Sequence, residues 1–285
     1  YNKHHFLDTD VFSAFVALYW DINDRTELTV GARYTDEEKD GKIEIPYVHL
    51  FLQGSFSAPP LIDGLEFEDD NISPEIAINY YLNDDVSVFA AYKEGFKSGG
   101  IDNSALPTAS LSPPDGDFGF LVYQSEEADG FEVGMKGNFL NNSLRLNATI
   151  FTYEYTDLQV QLFNSTAIQF STFNASALET EGLEFDLLWN TSVDGLTIRS
   201  AWAWTDTGYS EDFINATGEN LKGEDGAGSA DITGYVGFTY DAELTDNWRY
   251  NVSADARFTD DYAWTATVNP FMQDSFWVTD AAINV

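Results

Sequence analysis

Alternation of apolar and polar residues runs along nearly the whole sequence, and the connections between the alternating runs are short and long in turn. A period of two is typical of an antiparallel β-strand with one apolar face. It predicts eleven strands, near residues 9–22, 27–40, 71–83, 86–97, 125–139, 143–162, 172–190, 196–211, 230–243, 248–263 and 276–285. We therefore expect an all-β, antiparallel fold with very little helix.

The connections indicate which kind of all-β fold this is. The short ones are polar turns of the type that joins hairpins, at 23–24, 83–85, 141–142, 192–195 and 245–247. The long ones are rich in Gly, Pro, Ser and Asp, at 41–70, 98–124, 163–171, 212–229 and 264–275. A sandwich or propeller has no reason to collect its long loops at one end, whereas an outer-membrane barrel has short periplasmic turns and long extracellular loops.

The two faces of the predicted strands agree with a barrel in a membrane. In one strand, the apolar residues Leu183, Phe185 and Leu187 alternate with the acidic residues Glu184 and Asp186. Tryptophans near the turns match an interfacial aromatic girdle, at Trp20, Trp189 and Trp248. An ordinary antiparallel sheet also has one apolar face, so a soluble sandwich remains an alternative.

Charge and composition exclude several functions. The chain has 48 Asp and Glu against 13 Lys and Arg, a formal net charge of −35, so no nucleic acid is expected as a partner. Without cysteine there is no disulfide and no thiolate metal site. The acidity indicates a solvated surface. A divalent-cation site is the alternative for the carboxylates Glu66, Glu68, Asp69 and Asp70.

Neither catalysis nor a cofactor is expected. Acid pairs such as Glu126 and Glu127 arise by chance in so acidic a chain, and no nucleophile, phosphate-binding or metal-ligand motif is present. His4 and His5 lack a third ligand at a metal-site spacing.

The scarce cations are concentrated in the stretch AAYKEGFKSGGIDNS, residues 90–104. With Ala90 and Tyr92 facing outward, a period of two sends Lys93 and Lys97 to the inner face, where carboxylates such as Glu132 can balance them. Cations are tolerated in a wet lumen and are costly on the lipid side. The glycines that follow permit a bend where the strand leaves the wall, although a substrate clamp is an alternative.

Five ordered segments resemble TonB-dependent outer-membrane receptors. NISPEIAINYYLNDDVSVFAAYKEGFKSGGID, residues 71–102, resembles a recurrent hairpin of that family, and FEVGMKGNFLNNSLRLNATIFTYEYTDLQVQ, residues 131–161, resembles the next hairpin. ALETEGLEFDLLWN, residues 177–190, resembles the strand that follows, and residues 8–40 and 276–285 are similar to the family too. The structural positions of these motifs are Pro74, Gly95, Gly99, Gly100 and Gly182.

The resemblance implies a twenty-two-stranded barrel that is closed by an N-terminal plug and that imports a scarce nutrient across the bacterial outer membrane. Iron–siderophore complexes, cobalamin and glycans are the substrate classes that it implies. The implied partners are outer-membrane lipid, the plug and the TonB–ExbB–ExbD system. Single-chain bacterial barrels have an even number of strands, so we expect residues 1–285 to be a partial barrel domain, without the plug, the early strands and the closing strands.

Two groups of residues are candidates for contact with a ligand. The loop aromatics are Phe118, Phe120, Tyr123, Tyr209, Phe213, Trp264 and Phe271. The residues expected to face the lumen are Lys93, Lys97, Glu132, Lys136, Arg199, Arg249 and Arg257. Loop packing is the alternative role for the aromatics. A passive porin and a secreted carbohydrate-binding β protein are the alternative functions, and the acidic loops mildly disfavour an anionic ferric siderophore.

Overall fold

The computed structural model describes residues 2–52, 60–104, 117–164, 169–215, 218–245, 248–268 and 270–285. The strands are β1 Asn2–Asn23, β2 Thr26–Tyr47, β3 Leu61–Tyr81, β4 Val86–Lys97, β5 Gly100–Ile101, β6 Val122–Tyr123, β7 Glu126–Phe139, β8 Leu144–Thr156, β9 Gln159–Asn164, β10 Gln169–Asn174, β11 Ala177–Asn190, β12 Leu196–Tyr209, β13 Ile232–Thr245, β14 Trp248–Thr259, β15 Tyr262–Ala263, β16 Met272–Gln273 and β17 Phe276–Asn284. Two short 3-10 helices cover Leu50–Leu52 and Gly119–Leu121. Within these ranges, no helix is long and apolar enough to cross a membrane.

One antiparallel sheet of eleven strands forms the wall, in the order β1-β2-β3-β4-β7-β8-β11-β12-β13-β14-β17. The predicted all-β fold and its eleven wall strands are thus confirmed. The six remaining strands form three two-stranded sheets, β5–β6, β9–β10 and β15–β16, and all of them lie in the long connections. The small sheets therefore add structure at one end of the wall only.

Two of the short turns are closed by asparagine side chains. Asn23 Oδ1 accepts hydrogen bonds from the Arg25 backbone N–H at 2.9 Å and from Thr26 Oγ1 at 3.2 Å. Asn83 Oδ1 accepts from the N–H groups of Asp85 and Val86 in the same way. An asparagine that replaces a backbone acceptor closes a turn within a few residues, which keeps this end of the wall compact.

Several predicted boundaries are wrong. Residues 41–70 were expected to be a loop, but β2 continues to Tyr47 and β3 begins at Leu61. The predicted strands 143–162 and 172–190 are each two strands, since the chain turns at Asp157, whose φ is 51°, and β10 ends at Asn174 before β11 begins. The predicted strand 248–263 ends at Thr259, and Tyr262–Ala263 form the separate strand β15. The connection 163–171 is the tip of the β9–β10 hairpin, of which residues 165–168 lie outside the described ranges.

The register aligns apolar side chains on one face of the wall, here called the outer face. Residues that lie directly opposite one another on neighbouring strands share a face. One such row crosses nine strands through Trp20, Leu28, Ile78, Ala90, Val133, Ile150, Leu183, Trp204 and Ile232. Most of these side chains are exposed in spite of being apolar. A continuous exposed apolar band of this size is the mark of a surface that contacts lipid.

The opposite face, here called the inner face, is mixed and polar. Lys93 lies opposite Glu75, Glu132 lies opposite Ala91, and Lys136 lies opposite Ser87. Both charge signs occur along it, together with glycines that are covered by aromatic rings on the neighbouring strand. The two buried apolar clusters of the described chain lie on this inner side, at the end of the wall where the long connections are.

Candidate functional site

The first apolar cluster covers the inner face of the extended ends of β2 and β3. Its buried members are Ile43, Ile45, Ile62, Leu65, Phe118 and Leu121. The last two come from the long connection after β4, which therefore folds back onto the wall. Phe118, a predicted ligand contact, is only 8% exposed within this cluster.

Lys39 of β2 anchors the glycine pair of the connection after β4. Its Nζ donates a hydrogen bond to Ser98 Oγ at 2.9 Å and another to the Gly99 carbonyl. The same ammonium lies 3.0 Å from Glu37 Oε1 and 5.4 Å from the centre of the Phe67 ring. Because the Lys39 side chain is only 14% exposed, these contacts fix the place where the chain leaves the wall.

The glycines at this point are required by close backbone approach. A side-chain carbon at Gly99 would overlap the Tyr123 carbonyl and the Phe67 ring. Gly100 pairs with Tyr123 across the small β5–β6 sheet and lies against its ring. These contacts support the structural role of the motif over that of a substrate clamp.

A polar seam joins this region to the β9–β10 hairpin. Gln159 Nε2 donates to the carbonyls of Lys97, Ser98 and Gln124 at 3.0–3.2 Å. Asp102 Oδ2 accepts from the Thr172 N–H at 2.9 Å. The hairpin is therefore held over the inner face by hydrogen bonds to backbone groups.

The second apolar cluster lies beside the hairpin, above β11 and β12. Its buried members are Ala175, Tyr209, Phe213 and Leu221. Tyr209 and Phe213, both predicted ligand contacts, pack with ring centres 5.4 Å apart. Tyr209 lies beyond the apolar band, and its burial raises the pKa of the phenol, which is therefore neutral at physiological pH.

A pocket of about 510 Å³ opens next to this cluster. Four parts of the chain line it: the hairpin, the ends of β11 and β12, the connection after β12 and the connection after β14. The last two are tied together, since the Gly228 N–H donates to the Ala263 carbonyl at 2.8 Å and Asn215 Nδ2 donates to the Ala266 carbonyl at 3.2 Å. The volume lies within the range of small-molecule sites, about 300–1,000 Å³.

The predicted aromatics are divided between the pocket and its surroundings. Tyr209 and Trp264 line the pocket. Phe120 lies 6.0 Å from Phe118 in the first region, and Tyr123 is half-buried against Gly100. Phe271 is 82% exposed and is absent from the pocket lining.

Sequence reasoning missed four apolar residues of the pocket: Leu158, Val160 and Phe170 at the hairpin, and Leu178 of β11. Leu158, Val160 and Leu178 fall within the predicted wall strands 143–162 and 172–190, and Phe170 falls within the predicted connection 163–171, where it was not selected as a ligand contact. The polar run FNSTAIQ between two alternating segments is a hairpin signal that could have separated them.

The predicted lumen residues all lie on the inner face, and most have a partner. Lys93 Nζ is 3.0 Å from Glu132 Oε2, and Lys97 Nζ is 3.3 Å from Glu126 Oε2. Lys136 lies over the Phe89 ring. The arginines contribute three further ion pairs, Arg249 with Glu243 and Arg257 with both Asp255 and Asp280. Arg199 lines a shallow surface together with Arg257.

The acidic residues that were considered for a cation site are divided between the two faces. Glu66, Glu68 and Asp70 lie on the outer face, directly opposite carboxylates of β2, whereas Asp69 faces inward and accepts a hydrogen bond from Ser125. Throughout the described part of the chain, no three His, Asp or Glu side chains are arranged to hold a metal ion. Glu66, Glu68 and Asp70 are exposed to solvent, so these three carboxylates form a solvated acidic surface.

The comparisons with known proteins agree with this geometry. The family model described as TonB dependent receptor-like, beta-barrel matches residues 2–285. The ferric yersiniabactin uptake receptor FyuA from Yersinia pestis superposes with a TM-score of 0.75 at 14% identity, over 99% of this chain and 39% of that receptor. The siderophore receptor PiuA from Acinetobacter baumannii superposes with a TM-score of 0.68 at 18% identity, over 97% of this chain and 37% of that receptor.

The ferric-catecholate import receptor Fiu from E. coli K12 gives a TM-score of 0.67 at 16% identity, over 98% of this chain and 38% of that receptor. At these identities the likeness to the solved structures shows the fold. The chain thus spans less than two-fifths of the length of the receptors that it matches.

Proposed function

Because the chain belongs to the TonB-dependent receptor β-barrel family, we propose that it forms wall and ligand-capturing loops of a receptor that actively imports a scarce nutrient. Barrels of this family lie in the outer membrane of Gram-negative bacteria and serve transport, not catalysis. The protein is accordingly an outer-membrane protein, and its nutrient and its energy-coupling partners are parts of the proposal.

The single observation that carries the proposal is the position of the pocket. It lies on the inner side of the wall, at the end with the long connections, and two of the connections that line it are joined by hydrogen bonds. A ligand that enters from outside the cell would be held there before it passes down the lumen. Residues on loops that a rigid scaffold holds in place are the usual ligand contacts.

The inner face supplies the second part of the mechanism. Its ion pairs, such as Lys93 with Glu132, are exposed on the side that would enclose the plug and the passing ligand. In this proposal the plug is displaced by the TonB–ExbB–ExbD system, which couples the uptake of ligand to energy from the inner membrane. A passive porin and a soluble carbohydrate-binding protein, the alternatives left by the sequence pattern, do not fit the family assignment.

Uptake by whole cells tests the proposal. The full-length receptor is expressed in a strain that lacks its own receptors, with and without TonB, and labelled iron–siderophore, cobalamin and oligosaccharide are supplied in turn. We expect uptake of at least one class, abolished without TonB. Uptake that is equal in the two strains would show a passive pore.

A matched pair of variants tests the place of capture. Trp264→Ala removes an aromatic ring of the pocket, and we expect the half-saturating nutrient concentration to rise about tenfold, the effect of losing an aromatic anchor of more than 1 kcal/mol. Phe271→Ala removes a more exposed ring outside the pocket and should leave uptake unchanged. Equal effects of the two substitutions would contradict capture in the pocket.

A further inference from the structure

The pocket lining carries no charged side chain among the described residues. Its apolar part comes from the hairpin and β11, with Leu158, Val160 and Leu178. Its polar part consists of hydroxyl and amide groups, including those of Thr207 and Ser229. Tyr209 adds a neutral phenol because burial raises its pKa. The described lining therefore presents no fixed charge to a ligand.

The surroundings of the pocket are strongly acidic. Residues 205–231 contain seven Asp or Glu and one Lys, and residues 259–275 contain three Asp and neither Lys nor Arg. The lysine, Lys222, is exposed and does not line the pocket. Charges closer than about 10 Å are poorly screened at 0.1 M salt, so the ten carboxylates of these two connections, against the single Lys222, give the pocket a negative potential.

The carboxylates near the pocket are close enough to influence one another. The pKa of Asp231 is raised, first by partial burial and then by the neighbouring carboxylates, among them Asp225, Asp206 and Asp260. Asp225 directly precedes Gly226 of the pocket lining, and Asp231 lies two residues after Ser229. An anion that approached the pocket would therefore be repelled from more than one side.

One aromatic ring of the pocket lining presents an exposed face. Trp264 is 59% exposed, although it lines the pocket. The ring of Tyr262 supports the Trp264 ring, with centres 5.6 Å apart. Exposed aromatic faces held in this way stack against the apolar face of a ring in a ligand.

We propose that the pocket selects a ligand without net charge that presents an apolar ring face, with hydroxyl or amide groups at its edge, and that it rejects anionic ferric chelates. The inference rests on the proposed function and specifies its substrate class. Neutral saccharides and neutral macrocycles share this chemistry. Rejection of anions follows from the negative potential, and retention of the ring follows from the exposed Trp264 ring.

Binding to the purified full-length receptor tests the selection by charge. The probes are maltohexaose, cyanocobalamin and a ferric trihydroxamate, which have no net charge, and a ferric tricatecholate, which is anionic. At low salt we expect maltohexaose or cyanocobalamin to bind at least about tenfold more tightly than the tricatecholate, a ratio that corresponds to about 1.4 kcal/mol. The trihydroxamate has no net charge but lacks the ring face, so its affinity shows whether neutrality alone is sufficient for tight binding. Tightest binding of the tricatecholate, or binding of none of the probes, would overturn the inference.

Substitutions in the pocket separate the effect of its charge on ligand affinity from the effect of its aromatic ring. Ser229→Lys places a cation in the lining, and we expect it to raise the affinity for the tricatecholate several-fold, whereas Ser229→Gln, similar in reach but neutral, should not. Trp264→Ala should weaken binding of the neutral ring ligand, and Phe271→Ala should not. Unchanged preference in Ser229→Lys would contradict the electrostatic part.

The two proposals fail separately. TonB-dependent uptake of an anionic chelate would refute the charge selection and leave the transport function intact. Uptake that does not depend on TonB would refute the transport function, while the binding preference of the purified receptor would still decide the ligand class.

Discussion

Lys93 Nζ lies 3.0 Å from Glu132 Oε2 across the β4–β7 pair, and Glu132 also accepts a hydrogen bond from the Tyr153 hydroxyl of β8. Three neighbouring strands are thus connected on the inner face by one carboxylate. The Lys93 side chain is 41% exposed and that of Glu132 is 22% exposed, so the carboxylate is the more buried member of the network.

This connection predicts unequal effects for its two ends. Lys93→Met removes a partly exposed ion pair and should lower the free energy of unfolding by less than about 1 kcal/mol. Glu132→Gln weakens the contacts with both Lys93 and Tyr153 and should cost about 1–3 kcal/mol. Urea unfolding of the full-length receptor in detergent measures both values, and a larger loss for Lys93→Met would contradict the prediction.

We expect the contacts of Lys39 to hold the glycine pair, Gly99 and Gly100, in place on the wall. Lys39→Met leaves Glu37 without its ion pair and releases the carbonyl of Gly99, so we expect a loss of about 1.5–3 kcal/mol and faster proteolysis in residues 98–124. Lys42→Met is the control on the same strand, because Lys42 pairs with Glu44 in a more exposed position. Equal cleavage rates in the two variants would show that Lys39 does not hold this connection.

We expect a side chain at Gly182 to clash with its neighbours inside the wall. A side-chain carbon there would overlap the Phe151 ring and the Trp204 carbonyl, and the carbonyl cannot move without disturbing the β11–β12 pairing. We expect Gly182→Ala to cost about 1–3 kcal/mol. Gly95→Ala is the control, since nothing lies within 4 Å of the added carbon, and its thermal midpoint should not fall. A normal midpoint for Gly182→Ala would refute the close packing.

We expect the local stability of β1 to depend on pH near His5, at the end of the strand that lies beyond the apolar band. Burial, then Lys3, lowers the pKa of His5 below its ordinary value of 6.5, although Asp102 opposes the shift. As the pH falls, His5 therefore takes up a proton at a higher pH in the unfolded segment than in the folded one. Local stability should be highest above pH 6.5 and should fall as the pH drops through the lowered pKa.

Hydrogen exchange of residues 2–8 at several pH values measures this effect. His5→Gln should remove most of the pH dependence, and His4→Gln, a change at the exposed neighbour, should retain it. Protection that rises as the pH falls would contradict the assigned direction.

The wall was predictable because alternation and turn chemistry agree along it. The predicted strand 86–97 coincides with β4, since Asn83 closes the turn before it and outward apolar residues alternate with inward polar ones. The prediction failed at 41–70, where the apolar side changes from the outer to the inner face. There β2 presents Glu38 and Asp40 outward and Ile43 inward, so the pattern no longer indicates one continuous strand.

The pocket was predictable only in part. Tyr209 and Trp264 were recognised as aromatic residues of the connections, but Leu158 and Leu178 resemble wall residues in sequence. Four separate parts of the chain line the pocket, and long-range hydrogen bonds such as that of Asn215 with Ala266 bring two of them together. The alternation of apolar and polar residues along one segment carries no information on contacts between segments that are distant in sequence.

Accessibility along β7 tests most directly whether the apolar face contacts hydrocarbon and the polar face contacts water. Residues 1–285 contain no cysteine, so single cysteines carrying a nitroxide can be placed at positions 131, 132, 133, 135 and 136 of the receptor in lipid bilayers. Gly134 is left unchanged, because a side chain there would overlap the Phe89 ring. Labels at 131, 133 and 135 should collide mainly with oxygen dissolved in the lipid, and those at 132 and 136 mainly with a water-soluble nickel chelate. Absence of this alternation, or shielding of the odd positions from both reagents, would contradict a membrane-spanning wall.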